Sequence, residues 1–113
     1  MEDLKAIKIL TRTLSAKKAE DIVVLDVRGK SSITDFFVIA TGNSYVHVNA
    51  LLNYVKQDMQ DAGIPLLHRE GTAKDSHWAV IDFGFVILHV FTDDLRTEYN
   101  IESIWGDAKK IEF

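Results

Sequence analysis

The sequence predicts an α/β domain, a mixed β-sheet of about five strands with helices packed on it. Three observations carry that prediction. Two apolar β-type runs, Ile22–Val27 and Phe36–Thr41, lie close together, and the second feeds through Gly42-Asn43-Ser44 into an amphipathic helical pattern. Two more strand-like runs, Trp78–Phe83 and Phe85–Phe91, flank Gly84 and suggest a hairpin. Helical periodicity opens the chain and returns between the strand-like runs, as expected for helices laid on a sheet.

The elements follow in order. Leu4, Ile7, Leu10 and Leu14 recur at helical spacing with Lys5, Lys8 and Arg12 between them, so roughly residues 2–18 form an amphipathic helix. Ile22–Val27 is a short apolar run of the kind found in buried strands. Arg28–Thr34 holds Gly29, Ser31 and Ser32 and reads as a turn into the second strand. Ser44 is placed to cap the next helix by accepting a backbone N–H bond. Val48, Leu51, Leu52, Val55, Met59 and Ala62 form one apolar face of that helix. Gly63 ends it at the C′ position, and Pro65 prevents its resumption. Leu66–Glu70 is a third strand, Gly71–Asp75 a polar loop, and the hairpin about Gly84 follows. Asp93 or Asp94 caps a last helical segment with Leu95, Tyr99, Ile101 and Trp105, and the charged tail from Gly106 reads as loose.

A chain of 113 residues without linker, repeat or low-complexity tract is one domain spanning residues 1–113. Thirteen basic and seventeen acidic residues give a net charge of −4. That balance argues against a protein that grips nucleic acid mainly through phosphates, and it suits a basic protein partner. The chain has no cysteine, which removes disulfides, thiolate zinc sites and cysteine nucleophiles, and fits a reducing cytoplasm. No apolar run approaches the roughly 18 residues a membrane helix needs. The opening MEDLKAIKIL is acidic at once and has no small-residue cleavage site, so it does not read as a signal peptide.

A strand delivered through a Gly-containing turn into a helix N-terminus is a common anion site. Thr41-Gly42-Asn43-Ser44 has that form, and nucleotidyltransferases follow such a turn with a strand bearing two metal-binding carboxylates one residue apart. Here the next strand, Leu66-Leu67-His68-Arg69-Glu70, has no such pair, and Asp82 stands alone in its own strand. The metal chemistry lacks its ligands, so the plain reading is a strand-to-helix turn with a Ser cap and no cofactor. His47, His68, His77 and His89 fall in no short metal-binding spacing, and no metal site is assigned. His89, between Leu88 and Val90, needs a hydrogen-bond partner if buried. No G-x-S-x-G elbow supports a hydrolase, and no catalytic residue is assigned. Arg96, Tyr99, Glu102 and Trp105 are spaced by three, either a cover for one end of the sheet or part of an interface. Trp78 starts a strand just after a polar loop, where a large aromatic is either plain core or an interface anchor.

The ordered set Ala19-Glu20-Asp21-Ile22-Val23-Val24-Leu25-Asp26-Val27, Ser31-Ser32-Ile33-Thr34-Asp35-Phe36-Phe37-Val38-Ile39-Ala40-Thr41-Gly42-Asn43-Ser44, His47-Val48, Glu70-Gly71, Trp78, Asp82-Phe83-Gly84, His89-Val90-Phe91, Arg96, Tyr99 and Glu102-Ser103-Ile104-Trp105 resembles the ribosomal silencing factor, or Iojap, family. The resemblance runs from about Lys18 to Trp105. It implies a nucleotidyltransferase-like fold without transferase activity. It implies a translational repressor that binds the large ribosomal subunit through ribosomal protein L-fourteen and blocks joining of the small subunit. It also implies a homodimer when free, with no membrane and no dominant direct nucleic-acid contact. On that reading Trp78 is the apolar anchor, and Glu70, Asp82, Tyr99 and Glu102 are polar contacts to a basic surface. The alternative is a nucleotidyltransferase-like nucleotide-binding protein using the Gly42–Ser44 turn. Two positions depart from the family pattern: Val46 stands where Arg is usual, and Phe85 where Asp is usual.

Overall fold

The computed structural model describes residues 2–29, 34–70, 78–92 and 109–111. Its first helix is α1 (Glu2–Ala16), followed by strands β1 (Glu20–Asp26) and β2 (Phe36–Gly42). The second helix is α2 (Tyr45–Asp61), and strands β3 (His68–Glu70), β4 (Trp78–Asp82), β5 (Val86–Thr92) and β6 (Lys109–Ile111) complete the order. The six strands form one mixed sheet in the order β3-β4-β5-β2-β1-β6. The central pair β2–β5 is parallel, and every other neighbouring pair is antiparallel.

The mixed α/β sheet stands as predicted, with one more strand than the pattern suggests. The tail was expected to be loose, yet Lys109, Lys110 and Ile111 pair antiparallel with Asp26, Leu25 and Val24. The reason is that β1 otherwise has an open edge whose backbone groups need partners. Lysines also suit an outermost strand, because they discourage further pairing. The last helical segment, with Arg96, Tyr99, Glu102 and Trp105, lies outside the described residues, as does the loop 71–77.

The helices lie side by side on one face. α2 crosses β2, β4 and β5, and α1 packs against α2 and β1. Ile7, Leu10 and Leu14 of α1 and Val48, Leu51, Leu52, Val55 and Met59 of α2 meet Val38, Ile81, Leu88 and Val90 of the sheet in the main core. Thr13 joins the two helices through its hydroxyl, which donates to Asp58 Oδ2 at 2.6 Å. Ala62 does not extend the α2 face as expected: it is the exposed C-cap, one residue past the helix.

The other face holds a second cluster, Leu25, Val27, Phe37, Ile39 and Phe91. Strand β2 is therefore buried at every position, which explains why it reads as an unbroken apolar run rather than an alternating one.

Both helices end in Schellman motifs. In α2, Gly63 donates to Gln60 O and Ile64 to Met59 O, with Gly63 at φ +84° as predicted for C′. In α1, Lys18 donates to Ser15 O and Ala19 to Leu14 O, and here Lys18 takes the left-handed conformation at φ 70°. The β4–β5 hairpin turns through Gly84 at φ +95°, also as the sequence suggests.

Candidate functional site

The turn between β2 and α2 has the outline of an anion cradle, and three of its N–H groups are bonded within the chain. Ser44 Oγ accepts the His47 backbone N–H at 3.2 Å, the predicted cap. Ser44 O accepts the Val48 N–H at 2.9 Å. The Asn43 N–H, which a phosphate would need, donates to His47 Nδ1 at 2.8 Å. The other ring nitrogen, Nε2, lies 2.8 Å from Lys17 O. With Nδ1 accepting, Nε2 carries the proton and donates to that carbonyl, one of the orphans at the end of α1. One neutral imidazole thus ties the β2–α2 turn to the C-terminus of α1.

Gly42 is explained by the same packing. A Cβ there would sit 2.8 Å from Val48 Cγ2 and 3.1 Å from Val48 N. Glycine lets the first turn of α2 approach the end of β2, where Val48 is fully buried. Beside this turn, the Lys17 ammonium lies 4.1 Å from the centre of the Tyr54 ring, a cation–π contact.

The interface candidates divide. Glu70 ends β3 and Trp78 begins β4; Asp82 ends β4. The β3–β4 ladder pairs position 70 with Val80 and position 68 with Asp82. Positions 70, 78 and 82 therefore belong to one register set, alternating with Ala79 and Ile81, which are buried in the main core. The fold gathers these three at one edge of the sheet. Asp82 also has a local role that the sequence did not suggest, since its Oδ1 accepts the Gly84 N–H at 2.7 Å and braces the hairpin turn. Tyr99 and Glu102 lie outside the described residues.

Of the two departures from the family pattern, Val46 is 62% exposed, while Phe85 is partly buried against the main core. His89 sits on the second face, its ring 5.4 Å from that of Phe37 and stacked at 6.0 Å on that of Phe91. Burial pushes its pKa down to about 4, so it is neutral near pH 7. Among the described residues no buried side-chain nitrogen or oxygen lacks a hydrogen-bond partner, and no three acidic, His or Cys side chains gather as a metal site. At the far end of β1, Asp26 and Arg28 form a paired contact, Oδ1 to Nε at 3.0 Å and Oδ2 to Nη2 at 2.7 Å. No described helix is long and apolar enough to cross a membrane.

Sequence reasoning missed the His47 tie because its partners are two backbone atoms, one of them thirty residues away. The signal available was the closeness of His47 to the Ser44 cap, which places its ring back over the turn.

Known proteins agree with this arrangement. The family model "Ribosomal silencing factor during starvation" matches residues 1–113. A ribosomal silencing factor of Halalkalibacterium halodurans is 38% identical over 112 residues, covering 99% of this chain and 95% of that protein. The Bacillus subtilis ribosomal silencing factor is 38% identical over 108 residues, 96% of this chain and 91% of its own. The mouse protein named "Mitochondrial assembly of ribosomal large subunit protein 1" is 30% identical over 102 residues, 88% of this chain and 44% of that protein. A crystal structure of a Chromobacterium violaceum protein, 33% identical, superposes with a TM-score of 0.89 over 100% of this chain and 92% of that one. With a match from end to end in sequence and in fold, the chain belongs to the ribosomal silencing factor family.

Proposed function

We propose that this protein lowers translation by binding the large ribosomal subunit through ribosomal protein L-fourteen and keeping the small subunit from joining. The observation that carries the proposal is the family match across residues 1–113. A relative named for assembly of the ribosomal large subunit supports the same partner. The closed β2–α2 turn supports a role as a binding protein rather than an enzyme, because the Asn43 and His47 N–H groups already have intramolecular acceptors.

The contact surface in this proposal is the β3–β4 edge. Trp78 is the apolar anchor, with Glu70 and Asp82 beside it in register and Tyr99 and Glu102 as further polar contacts. A net charge of −4 favours a basic protein surface as the partner. The free protein is a homodimer in the cytoplasm.

Co-sedimentation with isolated large subunits, with and without added small subunits, tests the proposal. The protein is expected to travel with large subunits and to reduce the joined fraction. Failure to bind refutes the partner. Binding that leaves joining unchanged refutes the mechanism.

A further inference from the structure

The opposite edge of the sheet carries a second surface. Residues 4–18 contain five cations, Lys5, Lys8, Arg12, Lys17 and Lys18, and no acid, although the whole chain is at −4. Lys8 and Arg12 are exposed and one helical turn apart, and neither has an ion-pair partner among the described residues.

They overlook an open groove of about 690 Å³. Lys8, Arg12 and Ser15 form the α1 wall, and Ile22, Val24 and Ile111 form the floor. Val24 and Ile111 are register partners, so the floor runs unbroken from β1 onto β6. The groove follows from the layer geometry. Packed helices stand about 8–10 Å apart and strands about 4.8 Å, so two helices roof about four strands. With α2 over β2, β4 and β5 and α1 beside β1, no described helix lies over the β1–β6 border on α1's outer flank.

We propose that this groove receives an acidic amphipathic helix from a partner protein, laid beside α1 as a third helix on the sheet. Its apolar ridge would rest on Ile22, Val24 and Ile111, and its carboxylates would meet Lys8 and Arg12. The charge of the wall selects an acidic partner, and the apolar floor selects a peptide over nucleic acid. Phosphates would use the two cations but leave the floor unused, and the described lining has no aromatic ring on which a base could stack. The surface lies across the sheet from the β3–β4 edge, so it does not depend on the function proposed above.

Fluorescence anisotropy with a labelled helix of about 18 residues, five turns long, tests this. The probe carries Leu at 3–4 spacing and Glu on the flanks; a second probe replaces Glu with Lys, and a third is oligouridine RNA. The Glu probe is expected to bind at least about tenfold more tightly than the Lys probe, and Lys8→Glu/Arg12→Glu is expected to reverse that order. An Ile111→Ser variant, shown folded by circular dichroism, is expected to bind the Glu probe more weakly. Equal binding of the two peptides, unchanged binding by the charge-reversed variant, or preference for the RNA overturns the proposal.

Discussion

Replacing Gly42 with alanine separates a packing role from a ligand role at the β2–α2 turn. The added Cβ meets Val48 Cγ2 at 2.8 Å, where apolar carbons prefer about 3.5–4.0 Å. The overlap is therefore about 0.7 Å, and rotating Val48 does not remove it. The backbone nitrogen and Cα of Val48 wait at 3.1 and 3.3 Å, and Val48 is β-branched and fully buried. The start of α2 must lift from β2, straining the Ser44 cap and the His47 tie together. Overpacking of this kind costs about 1–3 kcal/mol. We expect Gly42→Ala to cost about 2 kcal/mol in urea unfolding and to lower Tm by about 8 °C for a domain of this size. Val48→Ala removes one offending methyl, so the double variant should be more stable than the two single losses sum to, by about 1 kcal/mol. If Gly42→Ala unfolds within about 0.5 kcal/mol of the parent, the close approach is not what requires glycine, and this reading of the turn fails.

Four further outcomes are expected. His89 takes a proton in the unfolded chain near pH 6.5 but in the folded chain only near pH 4, so stability is complete above 6.5 and falls through that window, by about 3 kcal/mol in all; His89→Leu should flatten the upper half of that pH dependence, as read by urea midpoints. His47→Ala removes the acceptor for Asn43 N–H and the donor to Lys17 O; the free energy of unfolding should fall by about 1 kcal/mol, and hydrogen exchange should quicken at Asn43. Lys18→Gly relieves a left-handed non-glycine residue and should stabilise by about 1 kcal/mol, visible as a higher Tm. Trp78→Ala, if it stays folded, should weaken binding to large subunits about 30-fold, and an unchanged affinity removes Trp78 from the contact.

The two helix ends show what was legible. Gly63 followed by Pro65 marks the end of α2 because glycine alone enters the left-handed region without strain, and the motif is where the residue says. The end of α1 has the same hydrogen bonds, but Lys18 occupies the glycine position, and no residue-type rule finds it. The strands follow the same division. Runs such as Phe36–Thr41 announce themselves because burial on both faces demands unbroken apolar sequence. Strand β6, only three residues with two lysines, is assembled by the need of the β1 edge for partners, a long-range cause that leaves a faint local mark. At the candidate site, the absence of a carboxylate pair was readable from the sequence, and the closure of the turn was not. That closure depends on the Lys17 carbonyl, just past the end of α1, brought beside His47 by helix packing.

The same packing also shows how the outline of an anion site can be held by bonds within the chain. A helix N-terminus presents donors that need acceptors, and a bound phosphate is one way to supply them. Here Ser44 Oγ supplies one, for the His47 N–H, and His47 Nδ1 accepts the N–H of Asn43 just before the cap. The same imidazole then satisfies a carbonyl at the end of α1. The result is a joint between α1, β2 and α2 that fixes where both helices lie on the sheet. Fixing the helices fixes the outer flank of α1 and the β1–β6 border beside it. Lys8 and Arg12 overlook that border, whereas positions 70, 78 and 82 alternate with the core residues Ala79 and Ile81 and belong to the register set on the other face of the sheet. The same packing that joins His47 to Lys17 O thereby sets the wall of the groove beside α1.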